Sequence, residues 1–526
     1  MQQYIDSPKR EVRGAWIATV ANIDYPKKPT SNSVAQREQW NKLVERLKKN
    51  GINTLFVQVR PAADALYASE FVPWSHFLNG KQGTPPVPAY DPMEYMIEVA
   101  HRNGMEFHAW LNPYRATFNL DTLSLSSWHV FNKHRDWVVQ YGSKMYLNPG
   151  VPDVRKHVVR VVEEIVEQYN IDGIHMDDYF YPYPIKNVPF PDSIEYAQYG
   201  EPYGSLEDWR RNNIDQLIEA LAVTVKAKKP YLLFGISPFG VWRNKADDPL
   251  GSDTRAGARS YDDLYADILK WLQKGWIDYV APQLYFNIGL EVADYEILLN
   301  WWRIHNYDRK LIIGQAAYKV GNNPVEAWLD GGEIPKQIML NRRYDEVAGS
   351  IFFSAKSLIN NSLGVADSLS KNFYKDRALT AFDFPGEMTP EPPRLLKVKG
   401  TPEGVKVKWR LNEAAATNGF GLLPPDYYVV YRFPQGVPID KSDASNIVFI
   451  SDLDGKYNCL IDKTTTNGEV YTYAIAAVNR FRNESSLSNM ISVRKELGKV
   501  KRLKGKKIKR KKKQASELEQ PTNTSF

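Results

Sequence analysis

A single cysteine, Cys459, in 526 residues leaves no partner for an internal disulfide and no thiolate set for a zinc centre, so it is read as a small core residue. No apolar run approaches the roughly 18 residues that a membrane-spanning helix needs. The opening MQQYIDSPKREVRG holds no hydrophobic leader core. Neither a P-loop nor a glycine fingerprint between strand and helix occurs, which argues against nucleotide chemistry. The eight histidines form no HExxH or comparable ligand set, and Ser237 sits in GISPFG rather than in a GxSxG elbow. Metal-assisted hydrolysis and serine acyl transfer therefore lack their usual signatures, and no cofactor is expected.

What the chain does have is ordinary globular composition, 43% hydrophobic and 25% charged, with enough length for about two to four domains. Aromatic residues reach 13%, gathered in clusters such as DDYFYPYP and NWW. Such rings pack cores, and they also stack on sugar faces. The net charge of +7 is local: eleven Lys and Arg fall between Lys499 and Lys513, and with Glu517 and Glu519 the segment after Gly498 carries +9, leaving −2 for the rest. That tail, 496–526, is basic and disordered by composition. An anionic cell-envelope polymer is a partner it suits. Nucleic acid is the less expected one, because it would rest on the tail alone.

Eight β-branched apolar runs alternate with amphipathic helical patterns. The runs are 12–20, 54–60, 105–113, 172–180, 232–240, 279–286, 310–318 and 348–356. Helical stretches between them carry clear punctuation: one stops at Gly51, one at Gly104, and one starts on Pro152 and Asp153. Strand and helix alternating eight times predicts parallel pairing through right-handed crossovers, closed into a (β/α)8 TIM barrel over 9–380. The segments after strands 2, 3, 4 and 5 are long, and in this fold such loops build the substrate cleft. After a Pro-rich linker, 388–495 reads as a small all-β immunoglobulin-like sandwich. Its KVKW, YYVVYR and YTYAIAAVNRFRNESSLS stretches resemble a fibronectin type III module, with Tyr471 or Tyr473 as its tyrosine corner.

The most informative motif is IDGIHMDDYFYPYP (171–184), the fourth strand and its exit. Period-two alternation puts His175 and Asp177 on one face, with Asp177 at the strand's C-terminal end, where barrel enzymes place reacting groups. A carboxylate there can act as nucleophile or general base at an anomeric carbon. The bland reading is that paired Asp residues cap a turn or hold a cation, and that His175 is a satisfied core histidine. Other strand ends add Gln58, Arg60 and Asp64; His108, Trp110, Asn112, Tyr114 and Arg115; Tyr179; Ser237, Phe239 and Trp242; Gln283 and Tyr285; Gln315 and Tyr318; and Lys356. Neutral amides among rings suit an uncharged polyhydroxylated ligand. Trp16 is read as barrel core.

REVRGAWIATV, FVQVRPAADALY, HAWLNPYR, IDGIHMDDYFYP and GISPFGVWRN, in this order on the first five strands, resemble the glycosyl-hydrolase-like 10 family of bacterial proteins over about residues 9–375. The resemblance implies a (β/α)8 glycoside hydrolase domain, periplasmic or at the cell surface, with bacterial cell-wall glycan as substrate class. DGIHMD is also similar to the strand-4 DGxRxD pattern of α-amylase-type barrels, which implies a nucleophile role for Asp177 and sets His175 where that pattern has Arg. Glycoside cleavage calls for a second carboxyl, and Asp178 and Asp64 are favoured over Asp247, Asp248 and Asp253 in the loop after strand 5. The expected function is hydrolysis of O-glycosidic bonds in a polysaccharide. The rival is a non-catalytic carbohydrate-binding or envelope scaffold, and a second carboxyl beside Asp177 at the barrel mouth separates the two.

Overall fold

A computed structural model describes residues 7–383, 389–411, 425–453 and 458–495. The basic tail lies outside the described residues. β1 (Val12–Ile17), β2 (Thr54–Arg60), β3 (Glu106–Leu111), a hairpin β4 (Val138–Tyr141) and β5 (Lys144–Leu147), β6 (Gly173–Met176), β7 (Leu233–Ile236), β8 (Tyr279–Val280), β9 (Lys310–Gln315) and β10 (Val347–Phe352) make up the first unit. Apart from the hairpin these strands are parallel, in the closed order β1-β10-β9-β8-β7-β6-β3-β2. Helices join them and cover the outside, as in a (β/α)8 barrel. Their starts are chemically marked: Asn32 accepts from the N–H groups of Val34 and Ala35 ahead of Ser33–Lys49, and Asp91 does the same for Met93 and Glu94 ahead of Pro92–Arg102.

Several strands are shorter than the apolar runs, and the excess lies mainly at their C-terminal ends. The fourth run turns out of the sheet at Asp177, and the sixth loses regular pairing before Pro282, whose missing N–H cannot extend the ladder. These released residues build the barrel mouth. The long third loop is not plain coil, since β4 and β5 pair across it as an antiparallel hairpin.

Inside the barrel, Val12, Trp16, Phe56, Leu233, Tyr279, Ile312 and Ile351 form an apolar core. Two glycines make room for the polar rings among them. A Cβ at Gly173 would lie 2.4 Å from His108 Nδ1, and one at Gly235 would lie 2.2 Å from the Tyr279 ring. Both neighbours are fully buried and have nowhere to retreat. Gly235→Ala is therefore expected to cost roughly 1–3 kcal/mol, the usual penalty for overpacking, read as a lower thermal midpoint in circular dichroism. An unchanged midpoint would show that the interior has slack.

The second unit is all β. Sheet β11 (Arg394–Thr401), β12 (Gly404–Arg410), β15 (Cys459–Asp462) faces sheet β14 (Ile447–Ile450), β13 (Tyr427–Pro434), β16 (Val470–Val478), β17 (Ile491–Arg494). Val405, Val407 and Trp409 meet Val430, Tyr473 and Ile475 in the core between them. Cys459 is half-buried on β15. Tyr471 Oη accepts the Thr466 N–H at 3.2 Å, and Tyr473 donates to Asp462 at 2.8 Å. The other face of the four-stranded sheet, with Tyr427, Val429, Tyr431 and Ala476, packs with Leu379 from the base of the barrel. The all-β unit thus covers the barrel end opposite the mouth.

Candidate active site

Every barrel strand or the loop after it reaches one cavity of about 510 Å³ at the C-terminal end. Trp16, Gln58, Trp110 and Asp177 form its floor side. Arg115, Tyr179, Tyr183, Ser237, Phe239, Gln283, Tyr285, Phe286, Tyr318, Lys319 and Phe353 complete the walls, with Val20 and Ile23. The volume suits a sugar unit or two, and the lining combines rings with a few polar groups, as carbohydrate sites require.

Asp177 follows the last residue of β6, so the strand's pleat delivers its carboxyl into the mouth. Trp110 Nε1 donates to Oδ2 at 3.1 Å, while Asn112 Nδ2 and the Tyr179 N–H approach Oδ1 at 3.4 Å each. Asp178 is turned behind Tyr183, whose hydroxyl donates to its Oδ2. Burial first, and then the Asp178 charge, pushes the Asp177 carboxyl up to about 7, against the opposing pull of Arg115 and the Trp110 bond. Burial also raises Asp178, with the Tyr183 bond opposing. Burial thus favours the protonated form of both neighbouring carboxyls, the condition under which a carboxyl can act as an acid near neutral pH.

Among the residues expected at the site, Asp177, Gln58, Trp110, Arg115, Tyr179, Ser237, Phe239, Gln283, Tyr285 and Tyr318 share the cavity. Arg115 lies between the rings of Tyr179 and Phe118, 4.6 and 4.8 Å from their centroids. Asp64 lies elsewhere. It lines a separate cleft of about 240 Å³ with His76 and Gln82, and Gln82 Nε2 donates to its Oδ2 at 3.3 Å. Arg60 is spent on the loop that carries Asn112, donating to the carbonyls of Asn112 (2.5 Å) and Pro113 (3.3 Å). Tyr114 is buried, Trp242 stacks on Trp301, and Gln315 donates to Tyr295 at 3.3 Å. His108 and His175 are inside the barrel beneath the floor.

The sequence reading missed Tyr183, Phe286, Lys319 and Phe353 as lining residues and took Trp16 for core alone. Tyr183 belongs to the quoted DDYFYPYP cluster, so its signal was present. Phe286 and Lys319 sit one residue past Tyr285 and Tyr318, Phe353 falls inside the run 348–356, and only the loop paths turn them inward. Among the described residues, no group of three or more His, Cys, Asp or Glu is placed to hold a metal ion, and no helix is long and apolar enough to cross a membrane.

The chain is 43% identical over 484 residues to "Glycosyl hydrolase YngK" of Bacillus subtilis, covering 91% of this chain and 92% of that protein. It is 40% identical over 365 residues to "Glycosyl hydrolase DigH" of Escherichia coli K12, covering 65% of this chain and 82% of the relative. Among solved structures, the glycoside hydrolase domain of PgaB (BpsB) from Bordetella bronchiseptica aligns over 69% of this chain and 99% of its own, at 15% identity and a TM-score of 0.46. The family described as Glycosyl hydrolase-like 10 matches residues 11–330, a span that takes in seven of the eight barrel strands and both Asp177 and Asp178. On that match and on the relative from Bacillus subtilis, the chain belongs to the glycosyl hydrolase-like 10 family.

Proposed function

We propose that the protein hydrolyses O-glycosidic bonds of a bacterial cell-wall or other polysaccharide in the cavity around Asp177. The observation that carries this reading is the buried, raised carboxyl of Asp177 opening on a mouth walled by aromatic rings, with the raised carboxyl of Asp178 next to it behind Tyr183. Asp177, held by Trp110, Asn112 and the Tyr179 N–H, acts as nucleophile or base at the anomeric carbon. Asp178 is the second carboxyl and donates the proton to the leaving oxygen. Tyr179, Phe239, Tyr285 and Tyr318 offer faces for sugar rings.

In the same reading, 9–380 is the catalytic domain and 388–495 a fibronectin type III-like module. The 496–526 tail holds the protein to an anionic envelope polymer, in the periplasm or at the cell surface. The test is product analysis by mass spectrometry after incubation with peptidoglycan, peptide-stripped glycan strands and a panel of plant and host polysaccharides. New reducing ends from at least one of them, lost in Asp177→Asn, are expected. Binding without any product would favour a non-catalytic carbohydrate-binding protein.

A further inference from the structure

A line of hydrogen bonds runs down the barrel axis from the floor of the cavity to the sandwich. Trp16 Nε1 lies 3.1 Å from His175 Nε2, His175 Nδ1 lies 3.0 Å from Tyr279 Oη, and Tyr279 Oη lies 3.1 Å from His108 Nδ1. His108 Nε2 is in turn 3.3 Å from Glu106 Oε2. Arg482, from the turn after β16, completes the line with its Nε 2.8 Å from Glu106 Oε1 and an Nη2 3.3 Å from Oε2. Its remaining N–H groups reach the carbonyls of Tyr231, Arg480 and Asp172, so all five donors are used. Arg482 is 4% exposed and has a φ of 63°, a left-handed backbone that a non-glycine residue holds only when its surroundings demand it. Gly173 and Gly235 clear the space for His108 and Tyr279, so the barrel wall is shaped around the line.

Chemistry gives the line one direction. An indole N–H can only donate, so His175 Nε2 accepts and its proton sits on Nδ1. Burial, with His108 adding to it, keeps this ring neutral. His175 Nδ1–H then donates to Tyr279, whose own O–H is left to donate to His108 Nδ1. His108 carries its proton on Nε2 and gives it to the Glu106 carboxylate. Burial by itself would raise that carboxyl, but the Arg482 charge and the His108 bond hold it low, so the acceptor end stays ionised.

At the upper end, Ser237 Oγ stands 3.0 Å from the same unprotonated His175 Nε2 and 3.4 Å from the Met176 carbonyl. Its hydroxyl proton points inward to one of these acceptors, and its lone pairs are left for the cavity that Ser237 lines.

We propose that Arg482, Glu106, His108, Tyr279 and His175 are positioning residues: the sandwich, through Arg482, fixes the His175 tautomer and makes Ser237 a hydrogen-bond acceptor for a substrate hydroxyl. This rests on the cavity being the glycan site. It makes the C-terminal unit part of the active site from the far end of the barrel. None of the five touches substrate, and they act only through Ser237 and Trp16.

Two measurements test it. In protein labelled with 15N-histidine, His175 is expected as a single Nδ1–H tautomer and His108 as a single Nε2–H tautomer. Tyr279→Phe, which removes one buried oxygen, should take the donor from His108 Nδ1 and the acceptor from His175 Nδ1–H, giving mixed tautomers at His108 and leaving Trp16 alone to hold the His175 tautomer, and Arg482→Met should likewise give mixed tautomers at His108. On whichever polysaccharide proves to be cleaved, Tyr279→Phe should lower kcat/KM about tenfold. In the Ser237→Ala background the same change should cost nothing further, because its effect passes through Ser237. A proton on His175 Nε2, or losses that multiply in the double variant, would overturn the proposal. Should Arg482→Met fail to fold, Tyr279→Phe carries the test alone. The spectra need no turnover, so a protein that cleaves no glycan yet shows the paired tautomers would sink the glycosidase reading and leave the relay standing.

Discussion

Asp177→Asn is expected to remove glycan cleavage, with kcat falling by roughly three orders of magnitude or more, and to make the fold more stable above neutral pH. Both effects come from one cause. The carboxyl lies under rings and beside a second acid, which is useful to a reaction and costly to a folded chain. Burial and the Asp178 charge raise Asp177 to about 7, whereas in the unfolded chain it ionises near about 4. Below about pH 4 both states carry the proton and the group costs the fold little. Between about 4 and 7 the unfolded chain releases the proton while the folded one keeps it, so stability falls as pH rises. Above about 7 the whole penalty is present, on the order of 2–4 kcal/mol. Asparagine carries no such charge but offers one acceptor oxygen where the carboxylate offers two, so part of the gain is offset. Urea unfolding of the two proteins at pH 4 and pH 8, beside turnover at pH 7, is the measurement. Retained turnover would end the role given to Asp177, and a stability gap independent of pH would show that its carboxyl ionises normally in the fold.

Arg482→Met is expected to destabilise the chain by about 3–5 kcal/mol and to split its thermal unfolding into two transitions. The guanidinium is buried between the units and pairs with the equally buried Glu106. Removing one member of such a pair strands the other charge in a low-dielectric site, which costs far more than the pair itself contributes. Arg480, which bridges Asp172 and Asp426, remains as a weaker tie across the same interface. The all-β unit should therefore lose its cooperative link to the barrel before it loses its own fold. Differential scanning calorimetry reads this directly. The double variant Glu106→Gln with Arg482→Met should recover much of the loss, because no unpaired charge is left. A single unshifted transition in Arg482→Met would mean the two units are held mainly by the apolar contact at Leu379.

The two positions show how unevenly the site could be read beforehand. Asp177 was legible because a strand's alternation and its C-terminal end are local properties, visible in seven residues of IDGIHMD. The gathering of Gln58, Trp110, Ser237, Gln283 and Tyr285 followed from one rule about where barrel loops meet. Asp64 was drawn into the same group by that rule, yet its side chain turns into the cleft with His76. Which side of a mouth a loop residue faces depends on the path of the neighbouring loops, and no local spacing encodes it. His108 and His175 looked like ligand contacts for the same reason. They share a face with the site but lie one or more layers below it, where they bond to each other through Tyr279.

Arg480 and Arg482 stand in RFRNESS, a stretch that reads as an ordinary charged turn of a β module. Nothing in that stretch says that the turn enters the base of a barrel more than 300 residues earlier in the chain.

Taken by itself, the order of residues determined the eight-fold alternation of strand and helix, the all-β unit after it and the acid at the fourth strand's end, because each is set by periodicity within a few residues. Tertiary structure alone decided which of the polar groups face the cavity, that Asp64 turns into a separate cleft, and that the second unit's arginines reach Glu106 and Asp172. Those are outcomes of packing between distant segments, where the need to satisfy every buried charge and donor selects the partner, and that selection is made only when the chain has closed on itself.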